Sequence, residues 1–223
     1  MEYGLIFDMD GVVIDSNPFH KIAWGKFLKG KGIACEDAYF DSVLSGKTGP
    51  SSLRIIFGED LSESLLEEYL KEVDGNYQAI LRESEEELAI EGLYDFLASI
   101  KGKGYRLGLA TSAPPLNIKL GLEKLGLEGV FEAIVGKADV VQGKPHPEVY
   151  LTTVERLGLS TDRCVVFEDS KAGIQSALNA GMPVVGIASG HSEEELLAEG
   201  VSLAVENFSQ LKLEQVIGLI NDN

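Results

Sequence analysis

The sequence predicts an α/β protein: a parallel sheet with helices on both faces, interrupted near its start by a helical insert. Short apolar runs rich in β-branched and aromatic residues alternate with longer segments of helical apolar spacing through most of the 223 residues. Most of these helical segments end at a glycine, which commonly terminates a helix. Residues 17–85 break the alternation, because they contain helical patterns and no convincing strand.

Five apolar runs are the strand candidates. In chain order they are "YGLIF" (3–7), "YRLGLA" (105–110), "AIVG" (133–136), "RCVVF" (163–167) and "PVVGI" (183–187). The helical segments between them are "GLYDFLASIKGKG" (92–104), "NIKLGLEKLG" (117–126), "HPEVYLTTVERLG" (146–158) and "KAGIQSALNAG" (171–181). Because parallel strands need helical crossovers, this order predicts a Rossmann-like, doubly wound sheet.

The insert contains several amphipathic helical patterns. They are "PFHKIAWGKFLKGKG", "EDAYFDSVL" and "SESLLEEYLKEVDGNYQAILRESEEE". Trp24 and Phe27 have helical spacing, which predicts that they pack inside the insert. The polar segments "DSNP" and "RESEEE" flank it as candidate hinges. We therefore predict a catalytic core of residues 1–16 and 86–223 and a helical cap of residues 17–85.

Composition and charge exclude several classes of protein. The chain is 44% hydrophobic and 25% charged, which is typical of a folded globular protein. Its formal charge of −17 repels phosphate backbones, so we expect no nucleic acid and no anionic membrane as partner. The sequence contains no basic leader and no apolar run long enough for a bilayer. Cys35 and Cys164 form no CxxC pair, which favours buried free thiols and a cytoplasmic location.

Polar side chains come after four of the predicted strands. They are Asp8 and Asp10 after the first strand, Thr111 and Ser112 after the second, Lys144 near the third, and Glu168 and Asp169 after the fourth. In an open parallel sheet the ligand crevice lies beyond the carboxyl ends of the strands, so we expect these side chains to meet. Four acids so close together repel one another, and Mg²⁺, which prefers oxygen ligands, would reconcile them. No histidine or cysteine cluster offers a zinc site.

The spacing of the first two acids has a simple physical reason. Residues two apart in an extended segment point the same way, so Asp8 and Asp10 project to one side while the chain turns at Gly11. Two carboxylates placed in this way can take different roles in one reaction.

Four segments carry a resemblance to a known family. "DMDGVVIDS", "ATS", "GKPHPE" and "VFEDSKAGIQSALNAGM" are similar, in order and spacing, to the four motifs of the haloacid dehalogenase-like hydrolases, in the subfamily with β-phosphoglucomutase and phosphoglycolate phosphatase. The resemblance covers nearly the whole chain. It implies that Asp8 is a nucleophile that forms an aspartyl-phosphate, and that Asp10 is the general acid and base. It further implies that Thr111, with Ser112 beside it, binds the phosphoryl group and that Lys144 neutralises it.

The same resemblance implies a Mg²⁺ cofactor held by Asp8, Asp10, Glu168 and Asp169. Whether Glu168 is a direct ligand stays open. Physical chemistry agrees with these roles, because carboxylate attack on a phosphate dianion meets charge repulsion that Mg²⁺ and Lys144 would offset. One residue such as Asp10 can protonate the leaving oxygen and later deprotonate the attacking water. Taken alone, Thr111 could instead cap the following helix, and Lys144 could be a solvated charge.

The insert offers weaker candidates for substrate binding. "SGKTGPSS" (45–52) ends like a nucleotide-binding loop, but that motif needs a glycine at position 41, which is Asp, and a preceding strand. Two interpretations of the segment remain. It is a loop of the insert that overhangs the active site, with Lys47 or Thr48 in contact with the substrate, or it is a plain surface loop. The resemblance also implies a substrate contact for His20, although a lone histidine is more often structural. In this family the cap closes over the crevice and supplies specificity.

The resemblance leaves the reaction open between hydrolysis and isomerisation. The mutases carry an arginine shortly after a GxxxR-like loop that holds a second phosphate, and here glycine and proline stand in that stretch. Arg54 and Lys47 are possible substitutes. We therefore predict a phosphatase of a small, sugar phosphate-like metabolite, with a β-phosphoglucomutase-like mutase as alternative and a phospho-accepting signalling receiver as an alternative of another class. The oligomeric state stays open, with a monomer favoured.

Overall fold

The computed structural model describes residues 2–34 and 48–221, which divide into two compact units. Met1–Asp15 and Glu87–Asn223 form one, called the sheet unit, and Ser16–Glu86 form the other, called the helical unit. The assignment of catalytic and cap roles to residues 1–16 with 86–223 and to residues 17–85 stays a prediction. Cys35, Lys47 and the predicted helix over residues 36–44 lie outside the described residues.

The sheet unit contains a parallel sheet of six strands. They are β1 (Tyr3–Phe7), β2 (Tyr105–Ala110), β3 (Ala133–Val135), β4 (Cys164–Glu168), β5 (Val184–Ile187) and β6 (Leu203–Val205). Their order is β3-β2-β1-β4-β5-β6, with all neighbours parallel. The predicted α/β fold with a doubly wound sheet and a helical insert is therefore confirmed.

Helices surround the sheet and build the helical unit. Within residues 2–34 and 48–221 they are, in chain order, α1 (Asn17–Gly30), α2 (Gly49–Phe57), α3 (Glu63–Glu83), α4 (Leu93–Ile100), α5 (Pro115–Leu125), α6 (Glu148–Leu157), α7 (Lys171–Asn179), α8 (Glu193–Ala198) and α9 (Leu213–Asn221). The first three lie in the helical unit and the others in the sheet unit. Short 3₁₀ turns occupy Lys137–Asp139, Thr161–Arg163 and Phe208–Gln210.

The central strands are buried on both faces, which explains their continuous apolar runs. Ile6 of β1 and Val166 of β4 face one apolar cluster, in which α6, α7 and α8 also bury side chains. Their neighbours Phe7 and Phe167 point to the opposite face, because side chains alternate along a strand. The Phe7 and Phe167 rings stack 4.4 Å apart and contact Phe208. Burial on both sides fixes the register of β1 against β4.

The helical unit has an apolar centre of its own. Its buried cluster comprises Trp24, Phe27, Leu28, Leu53, Leu66 and Val73, so the predicted packing of Trp24 and Phe27 is confirmed. Lys31 at the end of α1 pairs with Glu72 of α3 at 2.8 Å, and the Asn76 amide donates to the Ala23 carbonyl. These contacts tie α1 to α3 along their length.

Several elements were not predicted from the sequence. The short β6 and the helices α8 and α9 were missed. Helix α2 begins at Gly49, inside the segment 45–52 that was interpreted as a loop, so this part of the interpretation is wrong. Cys164 is a buried free thiol, as expected, and burial raises its pKa to about 11. Among the described residues, each helix is too short or too polar to cross a bilayer.

Candidate active site

The strand order places a topological switch point between β1 and β4. After β1 the chain builds β2 and β3 on one side and then returns to build β4 and β5 on the other. Ligand crevices of doubly wound sheets form at the carboxyl ends of the strands at such a point. Asp8 follows β1 directly, and its amide donates to the Phe167 carbonyl at 3.0 Å. Asp8 is thereby fixed beside the end of β4, where Glu168 and Asp169 lie.

A tight turn follows Asp8. The amides of Val12, Val13 and Ile14 all donate to the Met9 carbonyl, and Gly11 has a φ of +76°. A Cβ at Gly11 would overlap the Asp169 carboxylate. Glycine is required here for both its conformation and its lack of volume.

Lys144 lies at the centre of the acidic residues. Its Nζ donates to Asp8 Oδ1 at 2.7 Å, to Glu168 Oε1 at 2.6 Å and to the Ala110 carbonyl at 3.2 Å. An ammonium group has three donors, so each of them has a protein acceptor. Burial alone would lower the pKa of Lys144, but the Asp8 and Glu168 carboxylates outweigh it and raise that pKa. The buried lysine is therefore held in its charged form.

Glu168 is enclosed by hydrogen-bond donors. Its Oε1 accepts from Lys144 Nζ and from the Tyr150 hydroxyl at 2.8 Å, and its Oε2 accepts from the Asp169 amide and from the Ser170 amide and hydroxyl at 2.9–3.1 Å. A carboxylate accepts about four hydrogen bonds through its lone pairs, so these donors occupy all its acceptor sites. Burial opposes the charge of Glu168, but Lys144 and the other donors hold its pKa below the usual value.

Glu168 also packs closely against α7. A Cβ at Gly173 would overlap its carboxylate. We expect Gly173→Ala to destabilise the protein by about 2 kcal/mol or more, because the new methyl group would push the Glu168 carboxylate away from its buried partner Lys144. Gly121→Ala in α5 is the matched control, because its new methyl would meet Met9 and Ile14 at ordinary distances of 3.7–3.8 Å. Urea unfolding monitored by circular dichroism measures both; equal midpoints for the two variants would contradict the expectation.

Asp8, Glu168 and Asp169 form a buried acidic group. Each has a carboxylate oxygen within 4.8 Å of the others. Burial raises the pKa of Asp8 to about 7, although Lys144 lowers it. Burial, with the charges of Glu168 and Asp8, also raises the pKa of Asp169 well above its usual value. Three carboxyl groups thus surround one ammonium group, so negative charge exceeds positive charge when all three are ionised.

This donor set fits a divalent cation. Carboxylate oxygens are the ligands that Mg²⁺ prefers, and two positive charges would offset the excess of negative charge. Since the oxygens of Glu168 are already used, those of Asp8 and Asp169 are better suited to ligate the ion. Asp10 is partly exposed and does not belong to this group of three within the described part of the chain.

The loop that carries Lys144 is held at both ends. The Glu148 carboxylate accepts from the Val141 and Gln142 amides at 2.9 and 2.8 Å. From α7, Ser176 donates to the His146 carbonyl at 2.7 Å, and Asn179 donates to the Pro145 carbonyl at 3.1 Å. The motif "GKPHPE" and the helix "KAGIQSALN" thus contact each other, which fixes the backbone around Lys144.

The remaining predicted residues of the sheet unit lie at the same edge. Thr111 and Ser112 follow β2, with Thr111 buried and Ser112 exposed. The Thr111 hydroxyl accepts from the Ala113 amide at 3.0 Å in a local turn. It does not cap α5, whose first residue is Pro115. The alternative helix-capping role is therefore not observed.

Two of the three candidates in the helical unit, Thr48 and His20, have structural contacts. Thr48 is the N-cap of α2, and its hydroxyl accepts from the Ser51 amide at 3.4 Å. The His20 ring stacks on the Tyr77 ring with 4.2 Å between centroids. Lys47 lies outside the described residues. Substrate contacts of these three residues stay predictions.

Sequence reasoning missed three polar residues at the site. Tyr150 and Ser170 donate to Glu168, and the Ser189 hydroxyl donates to Asp169 Oδ2 at 3.3 Å. Ser189 follows β5, so the rule that polar residues follow the strands could have found it. Tyr150 has the apolar helical spacing of α6 and looks like an ordinary core residue.

Comparisons with known proteins agree with this geometry. Residues 5–187 match the family model of the haloacid dehalogenase-like hydrolases. A phosphorylated carbohydrates phosphatase of Thermotoga maritima is 29% identical over 219 residues, or 98% of each chain. A β-phosphoglucomutase of Bacillus subtilis is 30% identical over 94% of this chain and 92% of its own. The crystal structure of a HAD hydrolase of family IA, variant 3, from Entamoeba histolytica superimposes with a TM-score of 0.90, at 30% identity over 99% of this chain and 100% of that one.

Proposed function

The chain belongs to the haloacid dehalogenase-like hydrolase family, and we propose that it is a Mg²⁺-dependent phosphatase of a small, sugar phosphate-like metabolite. It would hydrolyse the phosphoric monoester through an aspartyl-phosphate on Asp8. The observation that carries this proposal is the buried acidic group with Lys144 at the switch point of the sheet. Burying several carboxylates costs folding free energy unless positive charge offsets them, and titratable groups in such surroundings are typical of functional sites.

In the first half of the proposed reaction, an Asp8 carboxylate oxygen attacks phosphorus as the bond to the leaving oxygen breaks. The new P–O bond makes Asp8 an acyl phosphate, and the leaving oxygen takes a proton from Asp10. Lys144, bound to Asp8 Oδ1 at 2.7 Å, would offset the charge of the transferring group. Thr111 and Ser112, at the end of β2, are proposed to bind the phosphoryl oxygens.

In the second half, Asp10 removes a proton from a water molecule, which attacks the phosphorus of the acyl phosphate. The bond to Asp8 breaks, inorganic phosphate leaves, and Asp8 returns to its carboxylate form. One partly exposed residue can serve both proton transfers because each leaves it ready for the next.

We propose that Asp8 and Asp169 hold the cation, with Asp10 as a further candidate, and that Glu168 holds Lys144. When bound, Mg²⁺ supplies positive charge that favours the ionised carboxylates and offsets the charge of the phosphate. Ser189 orients Asp169 through the 3.3 Å hydrogen bond. Such outer contacts commonly fix the direction of a metal ligand.

Mg²⁺ is expected to raise the melting temperature. An ion that binds only the folded state at one hundred times its Kd adds about 2.7 kcal/mol, which is about 5–10 °C for a chain of this size. Differential scanning fluorimetry with and without Mg²⁺ measures the shift. Asp169→Asn should lose most of it, whereas the exposed Asp162→Asn should keep it. A full shift in the Asp169 variant would contradict the assignment of this ligand.

Arg54 supports hydrolysis over the alternative mutase reaction. Identity does not separate the two, because the phosphatase and the mutase named above are equally similar. The Arg54 guanidinium is bound to Glu63 Oε1 at 2.5 Å and to the Glu59 carbonyl at 3.0 Å. Because its guanidinium donates to these two acceptors within the helical unit, Arg54 is a poor candidate for binding a second phosphate group. The signalling receiver is disfavoured by family membership over residues 5–187.

Activity assays test the proposed function. Phosphorylated sugars and p-nitrophenyl phosphate are supplied with Mg²⁺, and free phosphate and sugar phosphate isomers are measured. We expect phosphate release without isomerisation. Isomerisation that exceeds phosphate release would favour the mutase, and a long-lived phosphoprotein without turnover would favour the receiver. The selectivity assigned to the helical unit and the cytoplasmic location stay predictions.

A further inference from the structure

We propose that Tyr150 is a positioning residue for Lys144, acting through the carboxylate of Glu168. This inference rests on the proposed function, since it concerns the lysine of the same site. Tyr150 lies in the first turn of α6 and is 0% exposed. Its hydroxyl and its ring both face the Lys144–Glu168 ion pair, so its two halves can act on one ammonium group.

The hydroxyl of Tyr150 shares an acceptor with Lys144. It donates to Glu168 Oε1 at 2.8 Å, and Lys144 Nζ donates to the same oxygen at 2.6 Å. Each of these two hydrogen bonds withdraws electron density from Glu168 Oε1, and so weakens the hydrogen bond between that oxygen and the other donor. The tyrosine therefore limits how strongly Glu168 draws the ammonium away from Asp8, whose Oδ1 lies 2.7 Å from Nζ.

The ring of Tyr150 supplies the second contact. Lys144 Nζ lies 4.9 Å from the ring centroid, within the range of a cation–π interaction. The ring therefore provides an attractive surface beside the ammonium that does not use any of its three donors. Those donors go to Asp8, Glu168 and the Ala110 carbonyl.

Glu168 itself is unable to turn away from this arrangement. Its other oxygen is held by the Asp169 and Ser170 amides and by the Ser170 hydroxyl, and Gly173 packs against the carboxylate. With Glu168 fixed, the position of Lys144 between its two acids depends on how much charge Oε1 retains. The Tyr150 hydroxyl is the contact that sets this charge without touching Asp8.

Tyr150→Phe tests the inference, because it keeps the ring and removes only the hydroxyl. With its full charge, Oε1 should draw Lys144 towards Glu168 and away from the transferring phosphoryl group. We expect kcat for p-nitrophenyl phosphate with Mg²⁺ to fall about tenfold, as for the loss of a hydrogen bond to a charged group, with KM within about twofold. The Lys144 ammonium signal in ¹H–¹⁵N spectra, identified by its absence in Lys144→Arg, should shift.

Thr153→Val is the matched control on the same helix. Thr153 is buried, and its hydroxyl donates to the Val149 carbonyl at 2.7 Å without contacting Glu168. It should lose some stability and keep both kcat and the ammonium signal. The inference is overturned if Tyr150→Phe keeps wild-type kcat or leaves that signal unmoved. If the wild type does not hydrolyse the ester but the signal still shifts in Tyr150→Phe, the proposed function fails and the contact stands.

Discussion

Asp8→Asn is expected to reduce turnover on the order of 10⁴–10⁶-fold, as for the loss of other enzyme nucleophiles. The amide has nearly the shape of the carboxylate and can still accept from Lys144, so the fold should persist. An amide oxygen is, however, a poor nucleophile towards phosphorus. The variant should therefore bind substrate and cation more weakly but remain folded, while the first chemical step is lost.

The measurement is phosphate release from p-nitrophenyl phosphate with Mg²⁺, after intact mass has shown that the introduced amide has not deamidated back to the carboxylate. Asp95→Asn, at an exposed position of α4, is the control for a lost acid elsewhere on the sheet unit. Wild-type turnover by the undeamidated Asp8 variant would dismiss Asp8 as the nucleophile. Equal loss in both variants would point to general charge effects instead.

Lys144→Met is expected to affect both stability and rate. It leaves Asp8 and Glu168 buried without their cationic partner, and breaking a buried ion pair in this way usually costs about 3–5 kcal/mol. Loss of a charge beside the transferring group should also lower kcat by about 10²–10³-fold. Saturating Mg²⁺ should recover part of the stability, because the cation offsets the same negative charge.

Lys137→Met serves as control, because Lys137 is exposed on the same connection between β3 and α6. Urea unfolding with and without Mg²⁺ measures stability, and phosphate release under conditions where the variant is folded measures kcat. If Lys144→Met is as stable and as active as Lys137→Met, the lysine has neither the structural nor the catalytic role. If stability falls while kcat is unchanged, the lysine is only structural.

Much of the fold follows from local sequence patterns. The strands over 3–7 and 105–110 were predicted with the bounds that the structure has. The first of them is apolar along its length because it is buried on both faces of the sheet. The strand over 163–167 differs from β4 by one residue at each end. Three residues do not establish a period, and of the two three-residue edge strands β3 was predicted and β6 was missed.

The acidic residues of the site were also accessible from the sequence. Asp8, Glu168 and Asp169 directly follow or end buried strands. The rule that ligand crevices form at the carboxyl ends of parallel strands therefore predicted that they lie close together. Which of these acids ligates the metal and which one holds Lys144 could not be predicted from the sequence. Sequence alone left open whether Glu168 is a metal ligand, and its donors, which include Lys144 and Tyr150, come from segments distant in the chain.

The sequence by itself determined the fold class, the helical insert and the set of acids, because each of these leaves a mark in local periodicity or at a strand end, and the motif "GKPHPE" marked Lys144. The tertiary structure alone decided the strand order, the hydrogen bonds that use up Glu168, and the place of Tyr150 beneath the ammonium. The physical reason is distance along the chain: Lys144 is 136 residues from Asp8, and no local pattern records which donor meets which oxygen. Only packing of the sheet and helices brings such groups within 3 Å of each other.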